Sequence, residues 1–401
     1  MATMTSRERV RATLDHREPD RVPLDLGGTR VTSIHPGVLA QLAQRLKISD
    51  APVKVMDVWQ MLAWIEQPIV EALGIDVLPV PRLVLDFNMR LDQWRDWRLE
   101  DGTAVLMPGN FTPVLDDQGA LCLYVNDELV ARKATTSPYF DKMLETRMSY
   151  EPPPVESVVL PTLSDEELQW RRQWAATLRS NTDKALLGDF GFNLGRWGSY
   201  QEWLYQMGAD EDYVRAWYER KLECLLKNIQ LYWQAVGNDI DIVWLMEDFG
   251  TQKGMMIAPG AFERLVAPYY KQLFDWIHHN TAWKIFFHSC GGIYPIIPKL
   301  IDCGVDILNP VQTTAAGMDP ERLKAQFGRQ IVFWGGGIDT QTVLPFGSVE
   351  DVTAQVRDRL HILAPGGGFV FATSHNIQQD SPVENVVAML TTVRQYGGYE
   401  H

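Results

Sequence analysis

Short apolar runs alternate along this chain with longer stretches of helical periodicity. Eight of the apolar runs predict buried strands, over residues 22–26, 76–81, 185–191, 239–248, 283–290, 306–312, 331–339 and 369–377. Most of these runs are continuously apolar, which is typical of parallel strands whose sheet is covered by helices. The pattern therefore predicts a parallel sheet with a helical layer on its outside.

The stretches between the strands carry the signals of helices. The spacing predicts helices over residues 199–208, 211–236, 259–279, 293–303 and 348–363. Pro259 suits the first position of a helix and Gly304 suits the position just after one. Repeated strand–helix units predict a (β/α)8 TIM barrel, a member of the α/β class, and a doubly wound open sheet is the alternative.

Two segments depart from this alternation. Residues 1–20 predict a helical N-terminal piece. Residues 83–150 contain short alternating runs separated by turn sequences such as Asp101-Gly102 and Pro108-Gly109, which predict β-hairpins. We therefore expect a single barrel domain over residues 1–401, with 83–150 as a β-rich insertion after strand two that lies over the barrel mouth.

Composition and charge narrow the function. The 401 residues carry a net charge of −14 and no basic run, which argues against nucleic-acid binding. No apolar run is long enough for a membrane span, and the N-terminal residues lack the apolar core of a signal peptide. Four cysteines are too few for a disulfide scaffold of this length. A cytoplasmic location is expected.

Polar residues stand at the ends of almost all the predicted strands. The carboxyl ends of barrel strands carry the chemistry of such enzymes, so these residues predict an active site. The candidates, in chain order, are Arg30, Asp189, Asn193, Glu247, Asp248, His288, Cys290, Asn309, Gln312, Asp339 and His375. For Asp248 and Asp339, a role in a turn or a helix cap is the alternative.

The stretch His288-Ser289-Cys290, followed by two glycines, is the most informative of these ends. Side chains two residues apart in a strand point to the same side, so both can reach one bound atom. Imidazole and thiolate are ligands of zinc, and Glu247 at the end of the preceding strand is the first candidate for a third ligand. A buried core histidine and a buried apolar cysteine are the alternatives.

These residues resemble the uroporphyrinogen decarboxylase superfamily, which also contains corrinoid- and coenzyme-M-dependent methyltransferases. The resemblance covers nearly the whole chain except the predicted insertion. It rests on residues 7–10, 19–23, 247–254, 288–291, 304–312, 334–340, 364–368 and 374–378. The fold of that superfamily is a (β/α)8 barrel, in agreement with the predicted strands.

The resemblance implies different chemistry in two branches. The decarboxylases carry an R-Q-A-G-R motif that binds the substrate's carboxylates, and residues 24–30 stand in its place here. Asp76 and His375 match the decarboxylases' central Asp and late His. In the methyltransferases the His and Cys of H-x-C bind zinc together with a second Cys in an A-P-G-C-G stretch, where this chain has Gly367.

The methyltransferase branch is the leading hypothesis. It implies transfer of a methyl group between a small methylated or methoxylated substrate and a corrinoid (cobalamin), carried by a partner protein. Zinc would be bound by His288, Cys290 and Glu247. Catalytic roles fall to His375, Asp76 and Asp339, and substrate contacts to Arg30, Asp189, Asn193, Asn309 and Gln312. A homodimer is also expected.

Two alternatives stay open from the sequence. The first is a metal-free decarboxylase (a carboxy-lyase) acting on a porphyrinogen, in which His375 and Asp76 would handle protons and pyrrole N–H groups. The second is a binding protein for a corrinoid or tetrapyrrole that has no catalytic activity.

Overall fold

A computed structural model describes residues 3–143, 151–158 and 161–399 of the chain. Its central feature is a parallel sheet of seven strands, in which each strand pairs with the next one along the chain. The strands are numbered two to eight: Val77–Val80, Ala185–Asp189, Ile242–Met246, Lys284–His288, Ile307–Asn309, Val332–Trp334 and Phe369–Val370. All seven lie within, or nearly within, the predicted runs.

Residues 23–25 link the two edges of this sheet. The Phe371 amide donates to the Pro23 carbonyl and the Asp25 amide donates to the Phe371 carbonyl, both at 2.9 Å. On the other side, the Asp76 amide donates to the Leu24 carbonyl at 2.9 Å. Residues 23–25 are therefore the first strand of the ring, and the prediction of a (β/α)8 barrel is confirmed.

Helices cover the outside of the barrel. The α-helices are Ser6–Leu14, Pro36–Arg45, Gln67–Leu73, Asp165–Asn181, Tyr200–Ala209, Glu211–Val236, Pro259–Ala261, Ala267–Asn280, Ile297–Cys303, Pro320–Phe327, Val343–Phe346, Val349–Leu363 and Val383–Tyr396. A π-helical turn, Phe262–Val266, connects Pro259–Ala261 to Ala267–Asn280. The helices predicted from Ser199 and Ser348 begin one residue later, because both serines are N-caps within capping boxes.

Alternate residues of each strand face opposite sides of the sheet. Ile242, Trp244 and Phe286 belong to a buried cluster inside the barrel, whereas Val243 and Leu245 pack in the larger cluster that includes the helices. This alternation decides which polar side chains can enter the barrel at the carboxyl ends of the strands.

Two further sheets lie within residues 53–142. One contains Leu62–Ala63, Val53–Asp57, Ala104–Pro108 and Trp94–Arg98, and the other contains Val114–Leu115, Leu121–Val125, Glu128–Lys133 and Asp141–Lys142. A hairpin is present at Asp101-Gly102, where Trp94–Arg98 pairs with Ala104–Pro108. The hairpin predicted at Pro108-Gly109 is wrong, because this turn leads from the first sheet to the second. Val53–Asp57, from before strand two, joins the first sheet. Residues 144–150 of the predicted insertion lie outside the described residues. No helix among the described residues is long and apolar enough to cross a bilayer.

Candidate active site

His288 and Cys290 enter the barrel at the end of strand five. Phe286, whose side chain lies inside the barrel, is two residues before His288 and four before Cys290. Alternation along the strand therefore directs both side chains to the same inner side. The Nε2 atom of His288 lies 3.3 Å from the Sγ atom of Cys290, and His288 is only 1% exposed. Burial raises the pKa of the Cys290 thiol, and the neighbouring Asp248 carboxylate raises it further. The structure thus brings the two predicted ligands together.

Asn309 holds the imidazole of His288 in one orientation. Its Nδ2 donates to the Trp334 carbonyl at 2.8 Å, so its Oδ1 faces the imidazole. That oxygen lies 2.6 Å from His288 Nδ1 and can only accept, so Nδ1 carries the proton. Nε2 is then left with a free lone pair, directed toward the side of Cys290. Asn309 was predicted to bind substrate, but it is fully buried and supports the histidine instead.

Asp248 is the third member of this group. One of its carboxylate oxygens lies 3.7 Å from His288 Nε2, and the same oxygen accepts the Cys290 amide proton at 2.8 Å. Ligand atoms of Asp248, His288 and Cys290 all lie within 4.8 Å of one another. A nitrogen, a sulfur and a carboxylate oxygen are a donor set that suits zinc.

Glu247, the predicted third ligand, points elsewhere. Its carboxylate accepts a hydrogen bond from the Tyr270 hydroxyl, and burial raises its pKa to about 7. Glu247 alternates in phase with Val243 and Leu245, whose side chains face the helices. Asp248 alternates in phase with Trp244, whose side chain lies inside the barrel. The prediction of Glu247 used only its place at the end of strand four, whereas the alternation along that strand favours Asp248.

A cavity of about 390 Å³ opens beside Cys290 and also touches His375, Asp339 and Gln312. Burial lowers the pKa of His375 to about 4, and the nearby His288 contributes in the same direction. Asp339 accepts from the Gln341 amide at 2.8 Å and from the Thr342 hydroxyl, as a turn-stabilising carboxylate does. Gln312 accepts from the Gly291 amide at 2.9 Å and so holds the glycine loop after Cys290.

A second cavity, of about 410 Å³, lies on the Asp248 side and contains the predicted substrate-binding residues Arg30, Asp189 and Asn193. Arg30 is already paired with Asp86 at 2.7 Å and with Asp57 at 3.3 Å. The side-chain amide of Asn193 donates to the Met246 carbonyl at 2.7 Å. Both therefore build the wall of this cavity.

Asp76 lies at the opposite end of the barrel. It directly precedes strand two, and all the barrel strands are parallel, so it stands at their amino ends. Its buried carboxylate pairs with Arg9 and Arg21, each at 2.7 Å, and accepts the Leu24 amide proton at 2.8 Å. Asp76 and His375 do not meet in the structure. Asp76 precedes strand two, whereas His375 follows strand eight, so the two residues lie at opposite ends of the barrel.

Gly367 also stands at the amino ends of the strands, because it precedes strand eight. It has a φ of +73°, and a Cβ there would lie 2.6 Å from the Arg17 carbonyl oxygen. Packing therefore explains the glycine. A cysteine at this position would not reach His288, so the glycine removes no ligand from the group at the other end.

The fold and these side chains define a parallel α/β barrel whose polar residues gather at the carboxyl ends of its strands. The family model described as uroporphyrinogen decarboxylase (URO-D) matches residues 200–396, which contain strands four to eight. The chain belongs to the uroporphyrinogen decarboxylase superfamily, as the resemblance implied. No curated protein matches its sequence.

Solved structures resemble the fold. A methyltransferase from Methanosarcina mazei aligns with a TM-score of 0.59 at 16% identity, over 98% of this chain and 99% of that one. A homocysteine methyltransferase from Escherichia coli aligns with a TM-score of 0.28 at 10% identity, over 57% and 71% of the two chains. A 7,8-dihydropteroate synthase from Vibrio fischeri aligns with a TM-score of 0.24 at 11% identity, over 59% and 74%. The first supports the barrel fold over the full described chain.

Proposed function

We propose that the protein is a methyltransferase that moves a methyl group between a small methylated or methoxylated substrate and a corrinoid. The observation that carries this proposal is the group formed by Asp248, His288 and Cys290 at the carboxyl ends of strands four and five. The group lies between two cavities, one beside Cys290 and one beside Asp248. Membership of the superfamily is consistent with it.

Zinc fits these residues. We propose Asp248 as the third ligand in place of Glu247. Three protein ligands leave one tetrahedral position open for a substrate atom, as catalytic zinc sites do. When bound, zinc supplies a Lewis acid that withdraws charge from the oxygen, nitrogen or sulfur carrying the methyl group.

The surrounding residues hold the group in place. Asn309 keeps His288 in the tautomer with a free Nε2. The Ser289 hydroxyl accepts the Phe249 amide proton at 3.0 Å, and the Cys290 amide donates to Asp248, so strands four and five are tied together just beyond their ends. His375 and Gln312 line the cavity on the Cys290 side, where they would orient a substrate.

The described part of the hairpin region, residues 83–143, is proposed as a cover for this opening. Tyr139 lines the cavity beside Cys290, and Lys142 lines the cavity beside Asp248. Trp97 packs against Phe111 within the hairpins, and Trp59 lies at the wall of the cavity beside Asp248. A corrinoid-carrying partner protein, a homodimer, a single-domain organisation and a cytoplasmic location remain predictions.

The proposed function is tested by methyl transfer to cobalamin. The purified protein, loaded with one equivalent of zinc, is mixed with cob(I)alamin and a series of methoxylated, N-methylated and S-methylated compounds. Methylcobalamin forms with at least one donor and is followed by its visible absorption. The proposal is wrong if no donor reacts and uroporphyrinogen is instead converted to coproporphyrinogen without metal.

Replacing Asn309 by leucine is expected to weaken zinc binding roughly 10- to 100-fold, the usual effect of removing a group that orients a ligand. Leucine is close in volume but cannot accept the Nδ1 proton of His288. Zinc affinity is measured by competition with a chromophoric chelator. Asn309→Asp is the control, because it keeps an acceptor toward Nδ1 and should retain most of the affinity. Equal affinity of Asn309→Leu and the wild type would show that the hydrogen bond does not position the histidine.

A further inference from the structure

Four cationic side chains and four carboxylates line the cavity beside Asp248. Asp86 accepts from Arg30 at 2.7 Å and from Lys142 at 2.9 Å, so one carboxylate holds two of these cations. The Arg196 guanidinium stacks over the Tyr200 ring at 3.6 Å. Arg82, the fourth cation, lines the same cavity two residues after the end of strand two. Sequence reasoning missed it, although it stands at a strand end like the other candidates.

Arg82 is the cation that the cavity leaves available. In the part of the chain that the structure describes, its guanidinium makes no hydrogen bond and no ion pair, and the side chain is only half-buried. A charged group held against a protein surface without a partner is unfavourable unless a ligand or water satisfies it.

The backbone beside Arg82 is shaped to admit its side chain. Gly191, just after strand three, has a φ of +78°, and a Cβ there would lie 3.0 Å from Arg82 Nε. A larger residue would be strained and would crowd the guanidinium. The glycine therefore gives Arg82 its place at the cavity wall.

Aromatic side chains form part of the remaining wall of the cavity. Trp59, Phe192, Tyr200 and Trp244 line it together with Arg82 and Asp248. Lys142 stacks over the Trp59 ring and Arg196 over the Tyr200 ring, each at 3.6 Å. A flat apolar body suits the two rings on which no such cation is stacked, Phe192 and Trp244. A guanidinium binds a carboxylate through two parallel hydrogen bonds. Asp248 marks the side of the cavity where the proposed metal would lie.

We infer that the methyl donor is a small aromatic carboxylate whose carboxylate is bound by Arg82 and whose ring lies in the aromatic cavity beside Asp248. The inference rests on the proposed function in one respect, which is that the bound carboxylate is the methyl donor. The binding of a carboxylate by Arg82 is independent of metal and of turnover. It can therefore be measured on the protein alone.

The test is calorimetric titration of the full-length protein with benzoate, with benzamide as the neutral analogue and benzyltrimethylammonium as the cationic one. The wild type binds benzoate most tightly. Arg82→Ala binds benzoate roughly 10- to 100-fold more weakly, the effect of losing a hydrogen-bonded charge, and binds benzamide as before. Arg82→Lys keeps the charge without the two-donor fork and falls between them.

Arg322→Ala is the matched control, since Arg322 lies on helix Pro320–Phe327, stacks on Tyr294 and does not line this cavity. It removes the same charge and should leave benzoate binding unchanged. Thermal unfolding monitored by circular dichroism verifies that each variant is folded. Benzoate binding by Arg82→Ala equal to the wild type overturns the inference, as does preference of the wild type for the neutral or cationic analogue.

Failure of this inference and failure of the proposed function give different results. If cobalamin is methylated by neutral donors while benzoate does not bind, the methyltransferase proposal stands and the carboxylate inference falls. If benzoate binds through Arg82 while no donor methylates cobalamin, the binding of a carboxylate by Arg82 is confirmed. The methyltransferase proposal is then wrong, and so is the assignment of the bound carboxylate as methyl donor.

Discussion

Replacing His288 by alanine is expected to abolish stoichiometric zinc binding and, with it, methyl transfer. His288 is buried, and its Nε2 lies 3.3 Å from Cys290 Sγ and 3.7 Å from Asp248. Loss of a direct ligand should exceed the roughly 10- to 100-fold effect of losing a residue that only orients one. Zinc affinity is measured by chelator competition, and the rate of methylcobalamin formation is measured on the same samples.

The two neighbouring carboxylates provide matched variants for that experiment. Asp248→Asn should weaken zinc binding, because an amide is a poorer ligand than a carboxylate. Glu247→Gln should leave zinc stoichiometry unchanged, because the Glu247 carboxylate is held by Tyr270. A loss of zinc from Glu247→Gln but not from Asp248→Asn would restore the ligand set expected from the sequence. Full zinc content in His288→Ala would show that this group does not bind zinc.

Replacing Asp76 by alanine is expected to lower the free energy of unfolding by about 3 kcal/mol. Removing one partner of a buried ion pair is strongly destabilising, and the lower part of the usual range applies because Asp20 keeps its bond to Arg9. The buried Leu24 amide also loses its acceptor. Urea denaturation measures the change, and Asp50→Ala, at an exposed site, should stay within about 0.5 kcal/mol of the wild type.

The same residue separates a structural role from a catalytic one. Asp76→Asn disturbs the packing less than alanine and should be destabilised but folded. Its methyl-transfer rate per folded molecule should equal that of the wild type, since Asp76 lies at the amino ends of the strands. A methyl-transfer rate reduced 100-fold or more at unchanged stability would show that Asp76 has a catalytic role.

Much of the fold follows from local patterns in the sequence. Continuous apolar runs predicted strands two to eight, and Ser199 and Ser348 marked helix starts to within one residue. The contribution of Val53–Asp57 to the sheet that contains Ala104–Pro108 was missed, because this pairing joins segments about fifty residues apart.

The candidate site was predictable where one strand carries the information. His288 and Cys290 meet because period-two alternation puts both on one face, and that alternation also favoured Asp248 over Glu247. Roles that depend on another strand were not predictable. Asn309 supports His288 because strands five and six pair these two residues side by side.

The sequence by itself determined the barrel, the superfamily and the pair of side chains at the end of strand five, since these follow from periodicity and short-range spacing. Only the tertiary structure decided which distant side chains meet. Asp76 pairs with Arg9 and Arg21 at the amino ends, and Arg82 lies beside Gly191 at the carboxyl ends. Closing the barrel sets these neighbours, because strand direction assigns each residue to one end.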